Sequence, residues 1–396
     1  MQTLAIVGAS LAGLSAARAA RAQGFAGRLV IIGDEHHRPY DRPPLSKDFL
    51  LGAITAEDLF LESDDDGLHA EWLLGGGAVG FDAATKTITL HDGQNVTADG
   101  VVIATGARAR QLPALADRDN VFYLRTIADA QGLAPKLVAG GRMAVIGAGF
   151  IGAEVASAAA SRGMEVTMIN NTPVPFAVQL GDEMGEIVAR LHAVNGVELI
   201  SDAVVEEFHG ADGQVTGLRL ADGREFATDV VVVGIGAQPN IEWLGDSGLE
   251  LGNGVLCDSM GRTNVPGVVA VGDCAAWFDA AVGTHHRIEH WTGALERAAL
   301  AVQVLLDDDA PQQPLKAPYF WSDQHGVKIQ FAGHTAGHDR LEIEAGDPQD
   351  HSFLAVYYRG ETPVAVLGMN QPRLFTKWRR SLASPAATVA SAAVGH

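Results

Sequence analysis

Three glycines spaced Gly-x-Gly-x-x-Gly, namely Gly147, Gly149 and Gly152, stand in "MAVIGAGFIGAEVA" between an apolar strand, "RMAVI", and an alanine-rich helical stretch, "IGAEVASAAASRG". That spacing lets backbone approach a pyrophosphate closely. It also lays the anion on a helix N-terminus, where unpaired N–H groups and the macrodipole favour negative charge. A related loop opens the chain, "LAIVGASLAGLSAA", with Gly8 and Gly13 in place and Ser10 where the middle glycine would stand. The strand after it, "GRLVIIGD", ends in Asp34, about 20 residues past the loop, where a carboxylate can hold a ribose 2′-hydroxyl. The chemistry implied is that of two dinucleotides held by one chain.

The second loop differs at its acid position. The strand "MEVTMI" ends in Asn170 and Asn171. Asn170 can hydrogen-bond a ribose hydroxyl, but less strongly than a carboxylate does. No Arg or Lys follows until Arg190, so NADH is expected over NADPH. Two nucleotide sites, one near the N-terminus and one well inside the chain, suit a flavoprotein in which a nicotinamide reduces a bound flavin.

The elements that must position these loops have ample chain to draw on, since 396 residues correspond to two or three domains at roughly 150 residues each. Hydrophobic residues make up 47%, and no apolar run approaches the ~20 residues that cross a bilayer. No membrane association is expected. The first residues lack a basic n-region, and cleavage near "AARAARA" would destroy the first glycine loop, so a cytoplasmic protein is expected. With 28 Lys and Arg against 48 Asp and Glu, the net charge of −20 repels a phosphate backbone, and nucleic acid is not expected as a partner. The runs "ESDDDG" and "LLDDDAP" read as solvated loops. Only Cys257 and Cys274 are present, with no Cys-x-x-Cys pair, and both read as small buried hydrophobes. His285, His286, His334 and His338 lack the Cys or His-Glu-x-x-His spacing of a metal site, so no metal is expected.

Further turns agree with a flavin site. "DGVVIATGARARQLP" is a strand ending in Ala104, Thr105 and Gly106, and "TDVVVVGIGAQPN" repeats the pattern. "TNVPGVVAVGDCAAW" places Gly272 and Asp273 at the carboxyl end of another strand. On these motifs the whole chain resembles the pyridine-nucleotide disulfide oxidoreductase superfamily, whose "ATG" and "GD" turns bracket the flavin. "RPYDRPPLSKDFL", Arg38 to Leu50, is similar to a segment of the ferredoxin reductases of oxygenase systems and of apoptosis-inducing factor. Disulfide reductases carry a reactive cysteine in this region, whereas here Ser46 precedes Lys47 with no cysteine nearby. Reducing equivalents would therefore leave the flavin directly for an acceptor. "YLRT" at Tyr123 to Thr126, "RIEHWTGALERA" from Arg287 and "YFWSDQHGVKIQFAG" from Tyr319 are also similar to oxygenase-coupled ferredoxin reductases.

The resemblance implies an α/β fold with two Rossmann-like nucleotide-binding domains, as in glutathione reductase, plus a small C-terminal α+β domain. A discontinuous FAD domain would span 1–112 and 241–315, an NAD(H) domain 113–240, and an interface domain 316–396. "DDDAPQQPLKAP" reads as a linker, "VKIQFAG" and "FLAVYY" as strands of alternating character, and the tail "SPAATVASAAVGH" has little to bury. Flavin contacts would come from Gly8, Ala12, Gly13, Asp34, Arg42, Lys47, Val79, Thr105, Gly106, Arg125, Asp273 and Trp291. The nicotinamide dinucleotide would lie on Gly147, Gly149, Gly152 and Asn170. Lys47 would pair with Glu154 as the catalytic couple, orienting the nicotinamide and steadying charge as hydride arrives. By residue type alone, Lys47 also reads as a surface lysine, Glu154 as a partner of the helix dipole and Trp291 as core packing.

The implied activity is an FAD-dependent NADH:ferredoxin reductase supplying a [2Fe-2S] ferredoxin and, through it, an oxygenase. Such ferredoxins are usually acidic, and "RLFTKWRRS", Arg373 to Ser381, offers a basic patch that could dock one, although it equally reads as a solvated helix face. Rival readings are a rubredoxin or monodehydroascorbate-type reductase, or an NADH-sensing flavoprotein of the apoptosis-inducing-factor kind.

Overall fold

Each glycine loop leaves the middle strand of a parallel five-stranded sheet. The computed structural model describes residues 1–62, 67–280, 283–311 and 316–382. The first sheet runs in the order Val268–Ala270, Gly100–Ile103, Thr3–Val7, Arg28–Gly33, Ala70–Leu74, all parallel. The second runs Glu198–Ile200, Glu165–Ile169, Arg142–Ile146, Val230–Val233, Val121–Phe122, again all parallel. Strands buried on both faces need continuous apolar runs, and "VVVV" at Val230–Val233 is fully buried. In both sheets the strand order reverses beside the loop-bearing strand, which opens a crevice at its carboxyl end.

The local reason for each loop is steric. Gly8 has φ +126°, and a Cβ there would lie 2.0 Å from the Ala104 carbonyl oxygen. Gly147 repeats this at φ +101°, 2.3 Å from the Gly234 carbonyl. Helices Leu11–Ala22 and Phe150–Ser161 follow, as the alanine-rich stretches predict. The first-loop helix packs against the helix Trp291–Leu306.

The first sheet takes its edge strand, Val268–Ala270, after the second sheet is complete. The chain crosses between the two sheets twice, and the crossings pair as an antiparallel ribbon, Ala107–Ala109 with Ala237–Pro239. Beside it, Thr105 Oγ1 donates to the Asn240 carbonyl at 2.7 Å and Asn240 Nδ2 donates to the Thr105 carbonyl at 3.0 Å.

A third sheet is antiparallel, in the order Tyr319–Gln324, Val327–Gly333, Thr362–Met369, Ser352–Arg359, Arg340–Asp347. The alternation expected in "FLAVYY" gives way to continuous burial, because both faces of this sheet are covered. Phe353, Ala355 and Tyr357 pack with Met184, Val188 and Leu191 of the helix Asp182–Val194, and Leu354 and Val356 pack with Phe375 of the helix Pro372–Ser381. Phe375 is the one buried residue of that last helix. Phe375→Ala is expected to cost about 3–5 kcal/mol, read as a lowered thermal midpoint with the flavin still bound. Among the described residues no helix is long and apolar enough to cross a membrane. Most of "ESDDDG", the centre of "DDDAPQQPLKAP" and the tail "SPAATVASAAVGH" lie outside the described residues.

Candidate active site

The carboxyl ends of the two parallel sheets face one cleft of about 460 Å³, into which both glycine loops open. Its lining includes Ala12, Arg42, Lys47, Gly106, Arg125, Gly149, Gly152, Glu154, Asp273 and Trp291, so ten of the residues expected from sequence meet there although they are spread over 280 positions.

At the floor, Lys47 Nζ donates to Glu154 Oε2 at 2.8 Å and to the Pro43 carbonyl at 2.9 Å. The lysine side chain is 14% exposed and the glutamate 5%. Two hydroxyls complete the carboxylate's surroundings: Ser46 donates to Oε2, and Ser322 donates to Oε1 at 2.5 Å. Lys47 sits here because Pro43–Ser46 forms a tight turn of helix, preset by two prolines. Glu154 sits here because it lies on the first turns of the second-loop helix, pointing back toward its N-terminus.

Elsewhere in the lining, Arg42 Nη2 donates to Glu35 Oε1 at 2.6 Å, and Arg42 Nη1 donates to the Tyr40 hydroxyl and to the Arg125 carbonyl. Burial alone would raise the Glu35 carboxyl, but Arg42 and the Tyr40 hydroxyl outweigh it and hold the group below its ordinary range. Arg125 Nη2 donates to Asp273 Oδ2 at 2.7 Å, joining the "YLRT" segment to the "GD" turn. Trp291 Nε1 donates to Asp41 Oδ1 at 2.7 Å, and burial raises the Asp41 carboxyl against that bond. Burial also pushes His290 down to about 4, leaving a neutral imidazole on the cleft wall at neutral pH.

The remaining expected residues lie outside the cleft lining. Gly8, Gly13 and Gly147 form the packed undersides of the loops: a Cβ on Gly13 would lie 1.8 Å from the Gly8 carbonyl oxygen. Thr105 binds Asn240. Asp34 is exposed at the end of its strand, against Gly77, and Val79 is 52% exposed. Asn170 is buried, and its amide donates to the Thr172 carbonyl and hydroxyl at 2.8 and 2.7 Å. Its NH₂ group is therefore directed at its own loop. Sequence reasoning passed over Glu35, Tyr40, Asp41, Ser46 and Ser322, of which Tyr40, Asp41 and Ser46 lay inside the quoted "RPYDRPPLSKDFL".

Cys257 and Cys274 are both buried, and burial raises both thiols. We expect neither to be alkylated by iodoacetamide at pH 8 in the folded protein, both reacting after denaturation, as read by mass spectrometry.

From the cleft an aromatic run leads outward. Trp291 meets Trp321 edge-on with centroids 5.8 Å apart, Trp321 stacks with Tyr319 at 5.9 Å, and the Arg379 guanidinium lies 4.2 Å over the Tyr319 ring.

The arrangement fits two dinucleotides. The loop at Gly149 has open space beside its Cα, where a Cβ would meet nothing nearer than 4.0 Å. Both loop helices begin in the lining of the cleft, and the half-buried Lys47 ammonium shares that lining. Comparison with known proteins agrees. Residues 2–298 match the family described as Pyridine nucleotide-disulphide oxidoreductase, and residues 319–395 match the Reductase C-terminal family. Rhodocoxin reductase of Rhodococcus erythropolis is 34% identical, with 96% of this chain and 90% of that protein covered. The ferredoxin--NAD(+) reductase component of the p-cumate 2,3-dioxygenase system of Pseudomonas putida is also 34% identical, over 95% and 92%. The crystal structure of a covalent putidaredoxin reductase–putidaredoxin complex superposes with a TM-score of 0.91 at 32% identity, over 96% of this chain and 92% of that one.

Proposed function

We infer that this chain, which belongs to the pyridine nucleotide-disulphide oxidoreductase family, is an FAD-dependent NADH:ferredoxin reductase whose acceptor is a [2Fe-2S] ferredoxin serving an oxygenase. Members of the family use FAD and NAD(H). FAD, when bound, supplies hydride acceptance and the conversion of one electron pair into two single electrons. The observation that carries the reading is the Lys47–Glu154 ion pair, its carboxylate buried, in the cleft that both glycine loops line, in a chain whose only cysteines are buried elsewhere.

In this reading the first loop, Arg42, Arg125 and Asp273 hold the flavin dinucleotide, and the second loop holds NADH. Lys47 supplies positive charge where hydride arrives, and Glu154 with the Pro43 carbonyl fixes the ammonium so that it is already oriented. Trp291 closes one side of the cleft and excludes water. We divide the chain accordingly into 1–112 with 241–315 for FAD, 113–240 for NAD(H) and 316–396 for the partner-facing part, and we place the protein in the cytoplasm.

The relatives named after putidaredoxin and rhodocoxin direct attention to the surface where a ferredoxin would dock. Against a net charge of −20, the helix Pro372–Ser381 presents exposed Arg373, Lys377 and Arg380 at the outer end of the aromatic run. Lys377→Glu with Arg380→Glu is expected to raise the half-saturating ferredoxin concentration about tenfold at low salt, an effect that shrinks as salt is added. Flavin reduction by NADH should be unchanged.

The reading as a whole is tested by anaerobic titration with NADH followed by addition of a [2Fe-2S] ferredoxin. Bleaching of the flavin band near one equivalent, then rapid reduction of the ferredoxin, is the expected result. Bleaching without transfer to any iron–sulfur protein would replace the reductase by a sensor.

A further inference from the structure

Glu154 is the end of a longer buried chain. Ser322 and Gln324 stand two residues apart on the strand Tyr319–Gln324, both 0% exposed, and His192 on the helix Asp182–Val194 is 0% exposed as well. Polar side chains thus occupy the inner face of a strand whose Phe320 and Trp321 are only half-buried. Burying a hydroxyl, an amide and an imidazole is costly unless each finds its partners, and here each does.

The direction of every bond follows from the carboxylate at one end. A carboxylate only accepts, so the Ser322 hydroxyl donates to Glu154 Oε1. Its single proton is then used, so its oxygen accepts, and Gln324 Nε2 donates to it at 2.9 Å. That orients the amide and turns Gln324 Oε1 toward His192 Nε2, 3.1 Å away, which therefore carries a proton. His192 Nδ1 is left bare and accepts from His325 Nε2 at 3.1 Å. Four hydrogen bonds in series all point at Glu154, and each polarises the next. Burial, with His325 adding to it, pushes His192 down to about 4, in keeping with a neutral ring of fixed tautomer.

We propose that Ser322, Gln324 and His192 are positioning residues of the hydride-transfer site, a one-directional hydrogen-bond chain that fixes the Glu154 carboxylate and, through it, the Lys47 ammonium. The proposal rests on the reading of the cleft as the place of hydride transfer. With Ser322 holding Oε1, the second oxygen is presented to Lys47 and Ser46. Without it the carboxylate is free to rotate, and the ammonium loses its fixed direction. The third sheet, whose Phe320 and Trp321 already line the cleft, thereby also orients the ion pair at its floor.

The test uses the flavin-loaded protein with Ser322→Ala and, separately, Gln324→Leu. Flavin reduction is followed by stopped flow over a range of NADH concentrations. Ser322→Ala is expected to lower the limiting rate about tenfold, the loss of one hydrogen bond to a charged group, while half-saturation by NADH moves less than about threefold. Gln324→Leu is expected to act in the same direction by about threefold. Independently of turnover, ¹⁵N spectra of the histidine rings at neutral pH should give His192 as the Nε2–H tautomer in the wild type and a mixed population in Gln324→Leu. A limiting rate unchanged in both variants, or a change confined to half-saturation, overturns the positioning role. A wild-type His192 protonated at Nδ1 overturns the chain's direction. A wild-type flavin that NADH does not reduce overturns the hydride-transfer reading, and this proposal with it.

Discussion

Lys47→Met is expected to slow flavin reduction by NADH about 10²- to 10³-fold, the usual loss when a preorganised charge is removed from a closed site. The lysine is held by two acceptors, is 14% exposed and faces a carboxylate that is 5% exposed. Methionine keeps the length and apolar volume of the stem, so the charge is what changes. The variant also leaves Glu154 buried without its cation, with Ser46 and Ser322 as its remaining donors. Removing one member of a buried pair costs stability on the order of 3–5 kcal/mol when no other group compensates, and the two hydroxyls should hold the loss below that. Glu154→Gln is the complementary change, and Lys47→Met should cost much less in a Glu154→Gln background than in the wild type, because one ion pair is being removed twice. Stopped-flow reduction and thermal unfolding of the four proteins make the cycle. A loss of less than about threefold for Lys47→Met would leave the lysine a structural partner of Glu154 with no part in hydride transfer.

The second large effect separates binding from folding at the second glycine loop. At Gly149 the backbone is ordinary, φ −79°, and a Cβ would find its nearest neighbour 4.0 Å away. Gly149→Ala therefore should leave the thermal midpoint unchanged. Its methyl group instead enters the space through which a pyrophosphate must approach, and half-saturation by NADH is expected to rise about a hundredfold, near 2.8 kcal/mol. Gly147→Ala makes the contrast: at φ +101° and 2.3 Å from the Gly234 carbonyl, it should unfold at a lower temperature whether or not NADH is present. Calorimetric titration and melting curves for both variants distinguish the cases. If Gly149→Ala binds NADH as the wild type does, no dinucleotide lies on that loop.

How much of this was legible in the sequence depended on range. The loops and their helices follow from local steric rules, and Gly8, Gly13, Gly147 and Gly152 all stand where a Cβ would strike backbone. The pairing of Lys47 with Glu154 crosses 107 positions and was reached only by resemblance, since nothing in either segment names the other. Glu35 was overlooked in favour of its neighbour Asp34, because the fingerprint asks for an acid at the strand end and says nothing of the arginine seven residues on. The residue type of Asn170 does not show that its NH₂ group closes a turn with Thr172, which leaves its amide oxygen as the group that can meet a ribose hydroxyl. Ser322 and Gln324 stand in "YFWSDQHGVKIQFAG" with nothing in the sequence to show which side chains they meet, since Glu154 and His192 lie more than 130 positions away. The alternation in fact holds, with Ser322 and Gln324 on the inner face and Asp323 between them facing out, and that face is polar because it meets Glu154 and His192.

The paired crossings at Ala107–Ala109 and Ala237–Pro239 bear on how such a molecule could be assembled. Because the outgoing and returning strands are hydrogen-bonded neighbours, the stretch between them begins and ends at one spot, and joining it to the rest requires no long loop to be closed. A foreign nucleotide-binding unit whose termini lie equally near each other could be transplanted at this ribbon without disturbing the order of strands on either side. Such a unit must bring its own carboxylate to Lys47 and its own apolar helix face to the third sheet, because Glu154 and the helix Asp182–Val194 both lie within the exchanged stretch.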